Sequence, residues 1–163
     1  MTTIANFQLL ANFNTWANTK IFSACKELDD TEYKKNRRAF FSSIHGTLNH
    51  LLVVDRAYIS RIEGIDHGLK SLDQILFESL LQLEEARINE DKRLIDLVNS
   101  LSLESIHKEI TYKGFETGNT TYTINILLIT LFNHQTHHRG QIHNMLSQAG
   151  IKPPQIDIPD FIE

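Results

Sequence analysis

Eight histidines are spread over 163 residues, and three of them crowd one short stretch, Asn133-His134-Gln135-Thr136-His137-His138-Arg139-Gly140-Gln141. His134 and His138 are four residues apart, so on a helix of 3.6 residues per turn their imidazoles stack on one face. Two rings placed that way can grip one metal ion. Leu127, Leu131 and Met145 continue the same face, which puts both rings in the apolar seam that a helical bundle buries. A buried imidazole needs partners for its nitrogens, and a divalent cation serves two rings at once. The alternative is a pair of core histidines satisfied by ordinary hydrogen bonds. Such ions take three or four ligands, so the pattern asks for another one elsewhere in the chain.

Four long helices are expected to position that stretch. Ile4, Phe7, Leu10, Phe13, Ala17, Ile21, Ala24 and Leu28 recur at three- and four-residue steps and make a first helix ending near Asp29. Asn14 falls on its apolar stripe, suited to a helix-to-helix hydrogen bond, and Trp16 lies beside it, suited to packing or a subunit contact. Ser42 or Ser43 can cap a second helix through Ile44, Leu48, Leu51, Val54, Tyr58 and Ile62, stopped by Gly64. His50 flanks that stripe, whereas His45 is expected on the more polar side. Asp55 shares the face of Leu48 and Leu51, where a carboxylate wants a cation, an arginine or an imidazole. An interhelical salt bridge is its plain role.

The capping-box pattern Ser71-Leu72-Asp73-Gln74 predicts a third helix from there to about Leu101, its stripe interrupted by Arg87 and Glu90, which could pair locally. Ile110 to Tyr122 is rich in Thr, Tyr and Ile around Thr117-Gly118-Asn119 and predicts two short strands in a hairpin, leaning on the helices as a flap. The fourth helix runs from about Thr123 to Gln148, stopped by Gly150 and Pro153-Pro154. The tail, with Ile156, Ile158 and Phe161, is expected to pack back on the bundle. The fold class is therefore all-α, an antiparallel four-helix bundle with a hairpin-bearing link before the last helix, in one domain over residues 1 to 163.

Composition narrows the function classes. The single cysteine, Cys25, excludes an internal disulfide and fits a reducing compartment. Met1 to Ala11 lacks the pattern of a secretory signal and no apolar run suggests a membrane span, so a soluble cytoplasmic protein is expected. A net charge of −4 argues against a broad phosphate-binding surface. Lys34-Lys35-Asn36-Arg37-Arg38 is the one basic cluster, and beside Asp29-Asp30 it reads as a solvated loop. Nucleotide-binding glycine loops, Cys-x-x-Cys pairs and serine nucleophile elbows are absent from the sequence.

At three places the chain resembles the DinB family, a damage-inducible group of metal-binding four-helix bundles. They are Asn14-Thr15-Trp16-Ala17-Asn18, the segment from Gly46-Thr47-Leu48-Asn49-His50 to Asp55-Arg56, and the histidine stretch of the fourth helix, followed by the Pro-Pro tail. The resemblance implies one metal-ligating histidine on the second helix and two on the fourth, which falls on His50, His134 and His138. His137 is then a spare, about 60° around the helix from His134. Gln141, three residues past His138, could orient a ligand or a bound water, and Arg139 flanks the pair.

Three neutral imidazoles would leave zinc or nickel its full charge and an open position, able to act as a Lewis acid or to activate water or a thiol. Asp55 and Glu90 are the conceivable proton carriers. Some relatives look like thiol-dependent transferases or isomerases, others like hydrolases, so the expected substrate is a small molecule, a low-molecular-weight thiol among the choices. A homodimer is the family's habit. The competing class is a stress-linked metal-binding or interaction protein whose ion braces the bundle without turnover.

Overall fold

Six α-helices, one 3-10 turn and a two-stranded hairpin make up the computed structural model, which describes residues 4–115 and 117–163. Glu116 and Met1 to Thr3 lie outside the described residues. The four long helices are α1 (Ile4–Cys25), α3 (Ile44–Glu63), α4 (Leu80–Ser100) and α5 (Ile124–Gln148). Short helices α2 (Asp30–Lys34) and α6 (Ile158–Ile162) sit in the first loop and the tail, and β1 (Glu109–Lys113) pairs antiparallel with β2 (Asn119–Thr123).

Local chemistry sets the ends of the helices that carry the site. Ser43 caps α3 by accepting from the Gly46 amide at 3.0 Å, and Gly64 closes it with a left-handed φ of 74°. Thr123 caps α5 in the same way through the Ile126 amide.

Side-chain bonds between the helices fix their directions. Gln8 reaches Asn99 while Asn18 reaches Asp91, so α1 and α4 are antiparallel. Asp55 pairs with Arg87 and Glu63 with Arg93, so α3 and α4 run the same way. Phe7 stacks on Phe132 and Asn14 meets Arg139, so α1 and α5 are also parallel. The residues between Glu63 and Leu80 must therefore return along the whole length of α3.

That return overrides the expected start of the third helix at Ser71: residues 71–79 are not helical, and α4 begins at Leu80. Asn49 of α3 accepts from the Leu76 and Phe77 amides at 2.8 and 3.0 Å and donates to the Phe77 carbonyl. Gln74 reaches back, but to the Lys70 amide. Backbone groups that a helix would have satisfied are satisfied by a neighbour instead.

The core falls into two apolar halves. One gathers Ile21, Phe22, Leu51, Leu52, Leu83 and Met145; the other gathers Phe7, Ile59, Leu94, Val98, Leu128 and Leu131. Between them lies a fully buried polar layer contributed by all four long helices, described below.

His45 is not on a polar face as expected. It is 7% exposed, edge-on to Tyr33, because α2, capped by Asp29 within the charged loop, covers that side of α3. The basic cluster next to it is largely self-neutralised, Lys34 with Asp30 and both Lys35 and Arg37 with Glu32. In the tail, Phe161 packs on Phe13 and Trp16, so the packing expected of Trp16 is present.

Candidate metal centre

His50 leaves α3 in its second turn, and His134 and His138 leave α5 one turn apart. Their rings meet with centroids 4.9, 4.7 and 4.4 Å apart, and one nitrogen from each lies within 4.8 Å of the others. His50 Nε2 and His134 Nε2 face each other at 2.9 Å. His50 and His138 are buried and His134 is half-buried.

Two rings have their tautomers set from behind. His50 Nδ1 is 2.7 Å from the Leu72 carbonyl, which can only accept, so the proton is on Nδ1 and the Nε2 lone pair is free. The residue supplying that carbonyl belongs to the returning segment that Asn49 anchors at Leu76 and Phe77. His138 Nδ1 donates to Gln141 Oε1 at 2.8 Å, and the Gln141 amide in turn faces His137 Nε2 at 3.0 Å. The spare histidine thus sets the amide that sets the ligand candidate. His134 Nδ1 is buried without a hydrogen-bond partner among the described residues.

Burial keeps the cluster uncharged. Desolvation pushes His50 down to about 4 and His134 down to about 3, and it lowers His138 as well; His138 further opposes protonation of His50 and His134, and His137 that of His138. At neutral pH three bare imidazoles converge, the donor set a borderline cation prefers. No further histidine, cysteine or carboxylate joins the group among the described residues.

Phe41 was not foreseen from the sequence. Its ring stacks on His50 at 3.7 Å and 19° and meets His138 edge-on at 5.6 Å, closing one side of the cluster. It is held there because Gly46 lets the loop backbone approach: a Cβ at Gly46 would stand 2.2 Å from the Phe41 carbonyl oxygen. The signal in the sequence was that glycine, one turn before His50. The opposite side is open. A cavity of about 410 Å³ reaches His50 and His134 and is walled by Val54, Tyr58 and the hairpin residues Tyr112 and Tyr122. The hairpin leans on the helices as expected.

Asp55 and Glu90, the expected proton carriers, are engaged elsewhere. Glu90 binds Arg56 at 3.2 Å and Arg93 at 2.8 Å, not Arg87. Asp55 is 0% exposed and sits in the polar layer, where its Oδ2 forms an ion pair with Arg87 at 2.7 Å and accepts from Gln135 at 2.5 Å. From Arg87 the layer continues to Asp91 at 2.9 Å, then to Asn14 and Asn18, then to Arg139, and back through Gln135 to Asp55. It is a closed ring holding two carboxylates and two guanidiniums. Gln135 and Arg139 directly follow His134 and His138, so each turn of α5 gives one residue to the cluster and the next to the ring. The interhelical bond expected of Asn14 and the salt bridge expected of Asp55 are both present.

Comparison with known proteins gives a consistent relationship. The DinB family model matches residues 1–163. Protein DinB of Bacillus subtilis (strain 168) is 31% identical over 150 residues, covering 86% of this chain and 84% of that protein. The uncharacterized protein YizA of the same organism is 25% identical over 142 residues, covering 86% of each. Among solved structures, a DinB-like protein from Bacillus cereus ATCC 10987 superposes with a TM-score of 0.72 at 20% identity, over 95% of this chain and 98% of that one. At that identity the superposition speaks for the fold alone.

Proposed function

The chain belongs to the DinB family, and we propose that within it this protein is a metal-dependent enzyme of the thiol-transferase or hydrolase type, with His50, His134 and His138 holding one zinc or nickel ion. The observation that carries the proposal is the cavity: an open space of about 410 Å³ ends on two of the three convergent imidazoles. A purely structural ion is closed off by a fourth protein ligand, and none joins the cluster among the described residues. A divalent ion in this position supplies Lewis acidity. The chain supplies the rest: Leu72 and Gln141 orient rings, Phe41 shields one side from water, and the desolvated pocket keeps the nitrogens unprotonated.

Asp55 and Glu90, both ion-paired, are given structural roles, and Gln141 is the positioning residue of the set. A small-molecule substrate, a low-molecular-weight thiol among the candidates, a homodimeric state and a cytoplasmic location belong to the same proposal. Among the described residues no helix is long and apolar enough to cross a membrane.

The test is elemental analysis of protein purified from its own source, followed by a screen of small thiols and hydrolysable esters and amides. One zinc or nickel ion per chain is expected, lost in His50→Ala, His134→Ala and His138→Ala but kept in His67→Ala and His107→Ala. Wild type without a stoichiometric ion overturns the proposal. Stoichiometric ion with no turnover, and no spectral response of a cobalt-substituted form to thiols, leaves the second function class, an ion that braces the bundle; the engagement of both candidate proton carriers in ion pairs is what favours that class.

A further inference from the structure

The cavity has a second end. Arg61 lies in the last turn of α3 and lines the same space as His50 and His134. Neighbouring arginines on this interface are neutralised, Arg56 by Glu90 and Arg93 by Glu63 and Glu90. Arg61 has no carboxylate partner among the described residues, and its Nε is buried without a hydrogen bond. Its guanidinium is instead held by aromatic rings, 4.1 Å from the centroid of Tyr112, 5.5 Å from Tyr58 and 5.6 Å from Phe115. Rings engage the faces of a guanidinium and leave its N–H edges, a planar fork matched to a carboxylate, without partners. Desolvation beside those rings strengthens any charge-assisted bond made there.

Position ties this cation to the histidine end. Arg61 follows His50 by eleven residues, three turns on one helix face, so the two Cα atoms stand about 16 Å apart. We propose that Arg61 anchors the anionic end of the cavity's ligand, a small elongated molecule bearing a carboxylate at one end and the reacting group, presented to the histidine cluster, at the other. The assignment rests on the cavity being the substrate site, and it adds a charge requirement that the histidines do not impose. A staple that merely fixes the hairpin to α3 needs no N–H edge left without a partner among the described residues.

The test uses ω-mercaptoalkanoates of three to eleven carbons, each against the mercaptoalcohol of matched length, titrated into cobalt-loaded protein and read by the sulfur-to-cobalt absorption band. Wild type should bind the carboxylate at least about tenfold more tightly at the best-fitting length. Arg61→Gln should weaken the carboxylate alone to the level of the alcohol, and Arg61→Lys should keep part of the preference. Equal binding of acid and alcohol by wild type, or a preference that survives in Arg61→Gln, overturns the proposal. A second measurement needs no metal: octanoate, but not octanol, should shift the Arg61 Nε–H resonance of chelated protein, assigned by its loss in Arg61→Lys. That shift without any cobalt band removes the thiol and metal assignment and leaves the anion anchor standing. No shift together with no acid preference removes the anchor and leaves the metal site, judged by ion content, intact.

Discussion

Replacing Asp55 with leucine gives the sharpest test of how the buried layer works. The ring holds two carboxylates, Asp55 and Asp91, against two guanidiniums, Arg87 and Arg139. Asp55→Leu leaves it with an uncompensated positive charge in a fully buried site and takes the acceptor from Gln135. Breaking a buried ion pair from one side costs about 3 to 5 kcal/mol. In a chain of this size each kcal/mol moves the midpoint of melting by about 2 to 4 °C, so the variant should melt roughly 6 to 20 °C below wild type. Adding Arg87→Met removes the opposite charge and leaves Asp91 with Asn14 and Asn18; well-packed apolar replacement of a buried pair is often close to neutral. The double variant should recover most of the loss and hold the metal with wild-type stoichiometry. Urea unfolding of chelated protein is the assay, because bound ion would add its own stabilisation. A single variant within about 1 kcal/mol of wild type, or a double variant no better than the single, refutes the charge-balanced ring.

Asn49→Ala should cost about 1 to 3 kcal/mol by freeing three backbone groups of the returning segment, read by urea unfolding of chelated protein, and metal affinity should drop about 10- to 100-fold as Leu72 leaves His50, read by calorimetric titration with zinc. Gly46→Ala drives a methyl into the Phe41 carbonyl, with an expected cost of about 1 to 3 kcal/mol and a loss of the ring current that Phe41 imposes on His50, visible as a change in the His50 ring proton shifts. For pH, the folded-state values of His50 at about 4 and His134 at about 3 lie below the ordinary value of an unfolded chain. The unfolded form therefore takes up protons first, and these rings withdraw stability as pH falls from 6.5 toward about 4 for His50 and about 3 for His134. The stability of chelated wild type minus that of His134→Leu should shrink over that window and be flat above it; a difference independent of pH contradicts the assignment.

His134 and His138 were legible because helix periodicity alone puts four-apart residues together, and the resemblance at Gly46 to Arg56 supplied His50. The number of long helices followed from apolar stripes. What failed is of one kind. Ser71 to Gln74 has the local chemistry of a helix start, yet Asn49, more than twenty residues earlier, competes for the same backbone and wins. His45 looked solvated because α2, which covers it, is too short to leave a periodic signature. Arg87 and Glu90 looked like a local pair, but each finds its main partner on α3 as well as α4. The ring needs Asn18, Asp91 and Gln135 besides the expected Asn14 and Asp55, and nothing in one sequence says which distant amide meets which carboxylate. Phe41 sits in a loop held by tertiary contact, where its neighbour Phe40 is 88% exposed.

The route of the chain from α3 to α4 bears on the order in which the molecule is assembled. His50 takes its carbonyl partner from a segment 22 residues onward and faces an imidazole 84 residues onward. Closing loops of that size is entropically costly before many other contacts have formed. A nascent chain can present His134 and His138 as an adjacent pair, but the third nitrogen arrives only when the returning segment lies down and α5 docks against α3. Capture of the proposed cation by all three rings would thus be a terminal event of folding, and metal content in a freshly made sample would count the finished molecules.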